Sequence, residues 1–499
     1  MHLSHKIINN KLTFKDILFF SIFFLSLRIF LVYFFLEEGP DWEKYLNVAK
    51  NILNGCGVSQ SYIEFESCKL SFGPNNGPGY PFYISIFLIF LKDSINNLIY
   101  FNIFFSFLAN LYLLSVIKKY YNANLYKLVF IILSLSPLTI GWYRFLLPET
   151  LTLSFGIIML AEIIILLKTR NIFFLRLSVP IILASFIRLD ALSYIFLIFI
   201  IFYLINKKNI KKFFKDSLII ILIVGLPWNM WFLRNYIVSS DVIVPIKLEK
   251  LIKYENNFDY PSGFHRWVST WSLTEYSRSN ALHNIQFSRK KNFEKYTYEN
   301  IVQPKNIYYS LEEKRQTDKL FKDLKLNTGK PFPSELNSKF LQLANNRLNQ
   351  KFFNQYFIKN LKRMLFLSIN PVSSNGLPIE IDNGYVYKKL FDLKYKKISN
   401  YLLEHKNDLF KLVLKFLVNF WKISLLIYFL YLLFYKKLKN NSESILLKSC
   451  YFFYFIKIFF LSIFFLLESR YLATAFHIIE IPMIIFLFEN KFTNFSKKN

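Results

Sequence analysis

Residues 17–36 read ILFFSIFFLSLRIFLVYFFL, and residues 37–43 that follow read EEGPDWE. The first stretch carries a single charge, Arg28, and is apolar around its whole circumference. Twenty residues at 1.5 Å per residue give the roughly 30 Å that a helix needs to cross the hydrocarbon of a bilayer. The basic leader, Met1 to Asp16, precedes a run too long for a signal-peptide core and without a small-residue cleavage site, so the run is expected to stay as a first membrane helix.

Working outward, the same texture recurs. Further apolar blocks lie near 97–117, 125–141, 149–168, 171–187, 191–205, 217–235, 412–435, 447–467 and 471–488. Hydrophobic residues make up 54% of the chain and come in blocks rather than at the period of a half-buried strand or surface helix, which excludes an ordinary soluble domain. The reading is an all-α polytopic membrane protein with about 10 or more transmembrane helices.

The formal charge of +29 would point to nucleic acid if it formed one patch. It does not. Lys118-Lys119, Lys168 to Arg170, Lys207 to Lys215, Lys436 to Lys439 and Lys491 to Lys498 punctuate the apolar blocks, the pattern that anchors cytoplasmic loops, and no nucleic-acid partner is expected. The block at Gly79 to Leu91 decides sidedness. If it does not cross, all five basic loops fall with the N-terminus, and if it crosses, the later ones all move outside. It is therefore read as a re-entrant or interfacial helix.

This gives three parts: an N-terminal transmembrane module over 1–235 with an extracytoplasmic first loop at 37–96, an extracytoplasmic segment over 236–409 of mixed or unknown fold, and C-terminal transmembrane helices over 410–499. Glu335 to Leu367 looks amphipathic and could run along the membrane surface. Three cysteines exclude a disulfide scaffold and a four-cysteine zinc site. Cys56 and Cys68 share the first loop, where an oxidising compartment would permit a staple, and the sequence leaves that pairing open. His265, His283, His405 and His477 lack the i, i+4 spacing of a helical metal site and read as ordinary surface or packed residues.

Several residues have the chemistry of a site. Asp41, with Glu43 beside it, follows the first helix directly, where partial desolvation raises the basicity of a carboxylate and where a lipid-held substrate can be met without leaving the bilayer. A solvated acidic loop is the plain alternative for Glu37, Glu38 and Glu43. Arg144, Arg188, Arg234 and Arg470 come from different blocks, all at ends placed outside, and Arg is suited to phosphate because its planar fork donates two hydrogen bonds and stays charged. Headgroup anchoring, or pairing with Glu149, Asp190 or Glu468, would account for each of them singly. Glu149 could orient an acceptor or pair with Arg144. Trp267 and Trp271 could stack on a sugar or anchor at the interface. Arg28, deep in the first run, is costly there unless it faces the bundle.

Asp41, Tyr45 and Ala49, then Gly55-Cys56-Gly57, then Gly77-Pro78-Gly79-Tyr80-Pro81 follow in an order that resembles the GT-C glycosyltransferase superfamily. The resemblance is to its bacterial members similar to dolichyl-phosphate-mannose protein mannosyltransferases and lipid A aminoarabinose transferases. Ser136-Pro137, Leu147-Pro148-Glu149, Pro227-Trp228, Arg234-Asn235-Tyr236 and Glu468-Ser469-Arg470-Tyr471 extend it, while 236–409 matches only loosely.

The resemblance implies a GT-C-like fold and an inverting transfer of sugar from a polyprenyl-phosphate donor to a lipid, glycan or protein acceptor. Asp41 would be catalytic, Glu149 or Glu43 a second acid, Arg470, Arg188, Arg234 and Arg144 donor-phosphate ligands, and Tyr45, Trp267 and Trp271 contacts to sugar or acceptor. A divalent metal ion is found in some relatives and not in others, and no cofactor is assigned. The implied location is a bacterial inner or plasma membrane, with the site facing the periplasm or exterior. Two other classes compete: a flippase or transporter of lipid-linked saccharides, which predicts inverted repeats and broken helices, and an O-antigen polymerase or ligase-like enzyme, which predicts its key groups in a late large loop.

Overall fold

The computed structural model describes residues 11–36, 42–58, 77–91, 95–121, 124–239, 261–273, 307–328, 332–350, 352–369, 406–435, 441–463 and 469–495. Among these, every regular element is helical. The chain divides into two compact units, the first made of 1–243, 371–457 and 469–499, the second of 244–370 with 458–468.

The first unit begins with α1 (Phe14–Phe35), whose start is fixed by a capping box: the Asp16 amide donates to Thr13 Oγ1 at 3.2 Å and the Thr13 amide donates back to Asp16 at 3.0 Å. Asp16 also accepts from Lys118 Nζ at 2.7 Å and Tyr126 OH at 3.0 Å, which gathers the C-terminus of α4 (Ile95–Tyr120) and the N-terminus of α5 (Leu125–Leu135) to the same end. The central helix is α6 (Glu149–Thr169). It runs parallel to α4, with Phe105 against Phe155 and, two turns on, Tyr112 donating to Glu162. Lys168 in its last turn bonds Glu443 at 2.6 Å, adding the start of α15 (Ser442–Ile463) to that end. From there α7 (Phe174–Ile187) runs back antiparallel to α6, so that Arg188 comes level with Glu149 at the opposite end.

Among the described residues, six helices are long and apolar enough to cross a membrane: Phe14–Phe34, Asn97–Tyr120, Glu149–Thr169, Ile210–Ile237 within α9 (Ile210–Ser239), Phe416–Phe434 within α14 (Lys406–Tyr435), and Ser442–Ile463. This corrects the expectation of about ten or more full spans. The apolar runs at 125–141, 171–187 and 191–205 are real but form only α5, α7 and α8 (Tyr194–Ile205), because α5 ends at Ser136 ahead of Pro137 and the 3-10 turn Leu189–Ser193 separates α7 from α8. Helices of 11 to 14 residues reach about 17–21 Å, short of the ~30 Å core. The outer faces of α1 and α9 expose Phe19, Ile22, Phe30, Leu222 and Leu226, as a lipid surrounding demands.

Gly79–Leu91 forms α3, and it does not run the length of the bundle. Its first residues rest against Phe186 and Ile187 at the Arg188 end, and α4, whose N-terminus is at that end too, starts at Ile95 only a few residues after α3 stops. Tyr83 and Phe87, one turn apart, meet the neighbours Asn102 and Phe101 of α4, so α3 crosses α4 instead of lying along it. The seat of α3 requires glycine. Gly77 has φ of +94°, and a Cβ there would lie 2.3 Å from the Phe186 carbonyl oxygen, while one on Gly79 would lie 2.8 Å from the Phe186 carbonyl carbon.

The second unit is held by α10 (Ser262–Trp271), α11 (Leu311–Leu326) and α12 (Ser334–Gln350), with a core of Phe264, Trp267, Val268, Phe321, Leu324 and Phe340. A π-helical turn, Asn354–Ile358, leads into α13 (Lys359–Ile369). The fold of 236–409, which the sequence leaves open, is thus helical in its described part.

Candidate functional site

At the Arg188 end of the first unit a chain of charged groups is buried among the helices. Arg188, where α7 turns into extended backbone, donates through Nη1 to Glu149 and through Nε to Asp190 at 2.8 Å. Asp190 also accepts from Lys457 Nζ on α15 at 2.9 Å, and Lys457 donates to Thr474 Oγ1 at the start of α16 (Ala473–Phe495). The Arg188 guanidinium lies 5.1 Å from the Tyr471 ring, and Tyr194 OH donates to the Thr474 carbonyl at 2.8 Å. Two cations meet two carboxylates, so the network is formally neutral, and with Arg188 6% and Glu149 1% exposed it is nearly dry. Such networks are worth little net against apolar packing but are costly to break from one side. Glu149 Oε2 has no hydrogen-bond partner among the described residues.

The helix α2 (Trp42–Leu53) follows Asp41 directly and buries Trp42, Tyr45, Val48 and Ala49. Tyr45 meets Tyr80 of α3 edge to face at 5.0 Å, so the seat of α3 on Phe186 carries α2 to the same end as Arg188. Glu43 is exposed on α2. Arg234, near the end of α9, donates to the Val58 carbonyl at 3.0 Å and to Asn235 at 2.9 Å, tying α9 to the first loop. Trp228 donates to Ser185 Oγ at 2.9 Å one turn before Arg188. Arg144 is buried over the Phe145 ring in a turn that Thr150 ties to α6 through the Trp142 carbonyl. Arg470 belongs to the 3-10 turn Ser469–Leu472 beside Tyr471, and its side chain lies outside the described residues, as does the whole of Asp41.

Trp267 and Trp271 belong to the second unit. Trp267 is fully enclosed by Phe264, Phe321, Phe340 and Trp271, so its faces are filled by the core and none is open to a sugar. Trp271 packs against that core, partly buried. Cys56 is disulfide-bonded, Cys450 is buried and free, and Cys68 lies outside the described residues.

Two features escaped the sequence reading, and Arg28, expected to be costly unless it faced the bundle, is found facing it. Lys457 anchors the network although it sits inside an apolar run. Glu480, fully buried in α16, accepts from Ser136 Oγ at 2.7 Å and Trp421 Nε1 at 2.8 Å and lies 3.2 Å from Nδ1 of His477, which is packed beside it. Arg28 donates to the last carbonyls of α5, those of Leu133 at 2.9 Å and Ser134, lying over Phe24 and Tyr143, which answers a helix C-terminus with a cation. A lone charge within an apolar run was the available signal in each case.

Among the described residues no three His, Cys, Asp or Glu side chains converge as a metal-ligand group, and Glu37, Glu38 and Asp41 lie outside them. Fold and site together define a protein that is all-helical in its described residues, with helices long and apolar enough to cross a membrane and a buried ionic network at one end of its bundle. No family model, no curated protein and no solved structure matches the chain.

Proposed function

We propose that this protein is an inverting glycosyltransferase that moves a sugar from a polyprenyl-phosphate carrier to a lipid, glycan or protein acceptor on the extracytoplasmic face of a bacterial inner or plasma membrane. The observation that carries the reading is the buried network of Glu149, Arg188, Asp190 and Lys457 at the end of the bundle to which α2, next after Asp41, is packed through Tyr45 and Tyr80. That end carries none of the basic clusters at 118–119, 168–170 and 207–215, which supports its facing outward.

In the proposed reaction the bond between the anomeric carbon and the phosphate oxygen breaks as the acceptor oxygen bonds that carbon from the opposite side. The acceptor proton passes to Asp41 and the electron pair leaves with the phosphate. Charge thus builds on the leaving oxygen, where fixed cations stabilise it most. Arg188 is already neutralised by two carboxylates, so in this scheme it positions Glu149, and the phosphate falls to Arg144, Arg234 and Arg470. Glu149, with one oxygen unpartnered, is suited to hold the acceptor hydroxyl.

A lipid-linked saccharide transporter is the second reading, favoured by the ionisable groups within the apolar helices, Arg28, Lys422 and the His477–Glu480 pair. One experiment separates the two. Membranes with equal amounts of wild type or Asp41→Asn are given a radiolabelled polyprenyl-phosphate sugar pool, and transfer is measured. Transfer by wild type that Asp41→Asn abolishes supports the enzyme. Movement of the labelled lipid across the bilayer with its sugar-phosphate bond intact, and no transfer, sinks it in favour of the transporter.

A further inference from the structure

In the second unit the segment 352–369 has its amphipathicity turned inside out. Its buried side is mostly polar, Gln355, Asn360 and Arg363 with Leu367 at its end: Gln355, 2% exposed, donates to Tyr309 OH at 2.7 Å, and Arg363, 3% exposed, donates to the carbonyls of Ser269 and Ser272 where α10 ends. Its outward side is apolar. Phe353 and Phe357 are 64% and 58% exposed, and Leu361 and Leu365 are 46% and 54% exposed, with Phe352 and Phe366 exposed on the flanks.

The four ridge residues recur every fourth position. In a regular α-helix such a repeat drifts by about 40° per step, since 3.6 residues make a turn. The π-helical turn Asn354–Ile358 spends more residues on its turn, so the step from Phe353 to Phe357 drifts the other way and offsets part of that drift. The tilted pair Phe352–Tyr356 and the stacked pair Phe353–Phe357 stiffen the same surface. A water-facing helix of a soluble domain would present the opposite arrangement.

Charge selects the occupant. Residues 351–369 contain no Asp or Glu, and while Lys359 and Arg363 turn inward to the carbonyls of Ser269 and Ser272, Lys362 is exposed beside the ridge. In the sequence the segment lies between α9 and α14, both long and apolar enough to cross a bilayer. An apolar ridge with an exposed lysine beside it and no acid suits an anionic headgroup layer, where the aromatic rings enter the acyl boundary and Lys362 reaches the phosphates.

We propose that the Phe352–Ile369 segment is an interfacial helix that docks the second unit onto a bilayer rich in anionic lipid. The proposal stands apart from the glycosyltransferase reading, since it concerns where this helix rests and not what chemistry the protein performs. It is tested on the full chain in proteoliposomes of phosphatidylglycerol and phosphatidylcholine, with Cys450→Ala and a single added cysteine labelled with bimane at Phe357→Cys or Leu361→Cys. Gln342→Cys, on the exposed side of α12, is the control. Bimane at 357 and 361 is expected to shift to the blue and lose most of its intensity to nitroxide-bearing lipid, while at 342 iodide in the water quenches it instead. Replacing phosphatidylglycerol by phosphatidylcholine should weaken the lipid quenching. Iodide quenching at 357 and 361 would place the ridge in water and overturn the proposal. So would protection from both quenchers, which would mean that another protein surface covers it, and lipid quenching indifferent to phosphatidylglycerol would overturn the anionic preference.

Discussion

Arg188 holds two carboxylates with one guanidinium, and its planar fork is what allows it. Arg188→Ala leaves Glu149 and Asp190 buried and facing only Lys457, so the loss should be about 3–5 kcal/mol, the usual penalty for stranding one side of a buried pair. Thermal unfolding in detergent checks it: the midpoint should fall clearly, and Glu149→Gln combined with Arg188→Met should recover part of the loss. A midpoint that does not move would mean water reaches the network. Lys359 supplies a second case, in the other unit. Burial, with Arg363 and Arg347 nearby, holds its ammonium down to about 7. An unfolded lysine titrates near 10.4, so between about pH 7 and 10 the unfolded chain binds a proton that the folded unit does not. Folding stability should therefore rise with pH across that window, by on the order of 1.4 kcal/mol per unit at most, and Lys359→Met should flatten the dependence. Hydrogen exchange of α12 and α13 in the intact protein between pH 6.5 and 9 would follow it. Glu149, Arg188 and Asp190 were legible in the sequence because they stand at the ends of apolar runs, where a partner is expected. Lys457 and Glu480 were not, because one charge inside a run does not say which helix will answer it.

At the scale of an element, α3 shows how a short motif sets the place of a helix. The run Gly77-Pro78-Gly79-Tyr80-Pro81 reads in sequence as a turn opening a helix, but its two glycines have a more specific reason. They let the chain lie directly on the backbone at Phe186 and Ile187, and so bring Tyr80 and Tyr45 to the Arg188 end. Gly77→Ala would combine a φ of +94° with a Cβ 2.3 Å from the Phe186 carbonyl oxygen, a backbone atom that has nowhere to go. Gly55 also has positive φ, +78°, yet a Cβ there meets nothing within 4 Å. Gly55→Ala should then cost only the left-handed penalty of about 1–2 kcal/mol, and Gly77→Ala clearly more, with looser packing of α2 and α3. Limited proteolysis of the two variants in detergent tests the order, and equal behaviour would refute the close seat. The long helices were legible because a strongly apolar run is its own evidence. The short ones were counted as spans because apolar composition alone does not say where a run stops, although α5 ends at Ser136 ahead of Pro137, while the 3-10 turn Leu189–Ser193 between α7 and α8 has no such signal.

For the whole molecule, the ionic contacts sort the helix ends of the first unit into two sets. One gathers Asp16, Lys118, Lys168 and Glu443, and the other gathers Glu149, Arg188, Asp190 and Lys457. These sets fall where the sequence places the basic and the non-basic loops, and they come from side-chain pairing, which owes nothing to the rule that orients the chain by its lysines. The turn at Asn206 to Asn209 belongs with the first set, since α8 leads to it away from the Asp190 end, and Lys208 is exposed there. Lys50, exposed on α2, belongs with the second. If the basic end is cytoplasmic, a membrane-impermeant maleimide added to intact cells should label Lys50→Cys and leave Lys208→Cys untouched until the membrane is opened. Labelling of both before permeabilisation would mean that the ends are not separated by a bilayer. The reverse pattern would turn the protein over, put the Glu149–Arg188 network in the cytoplasm, and remove the reason for matching it to a sugar carrier presented outside.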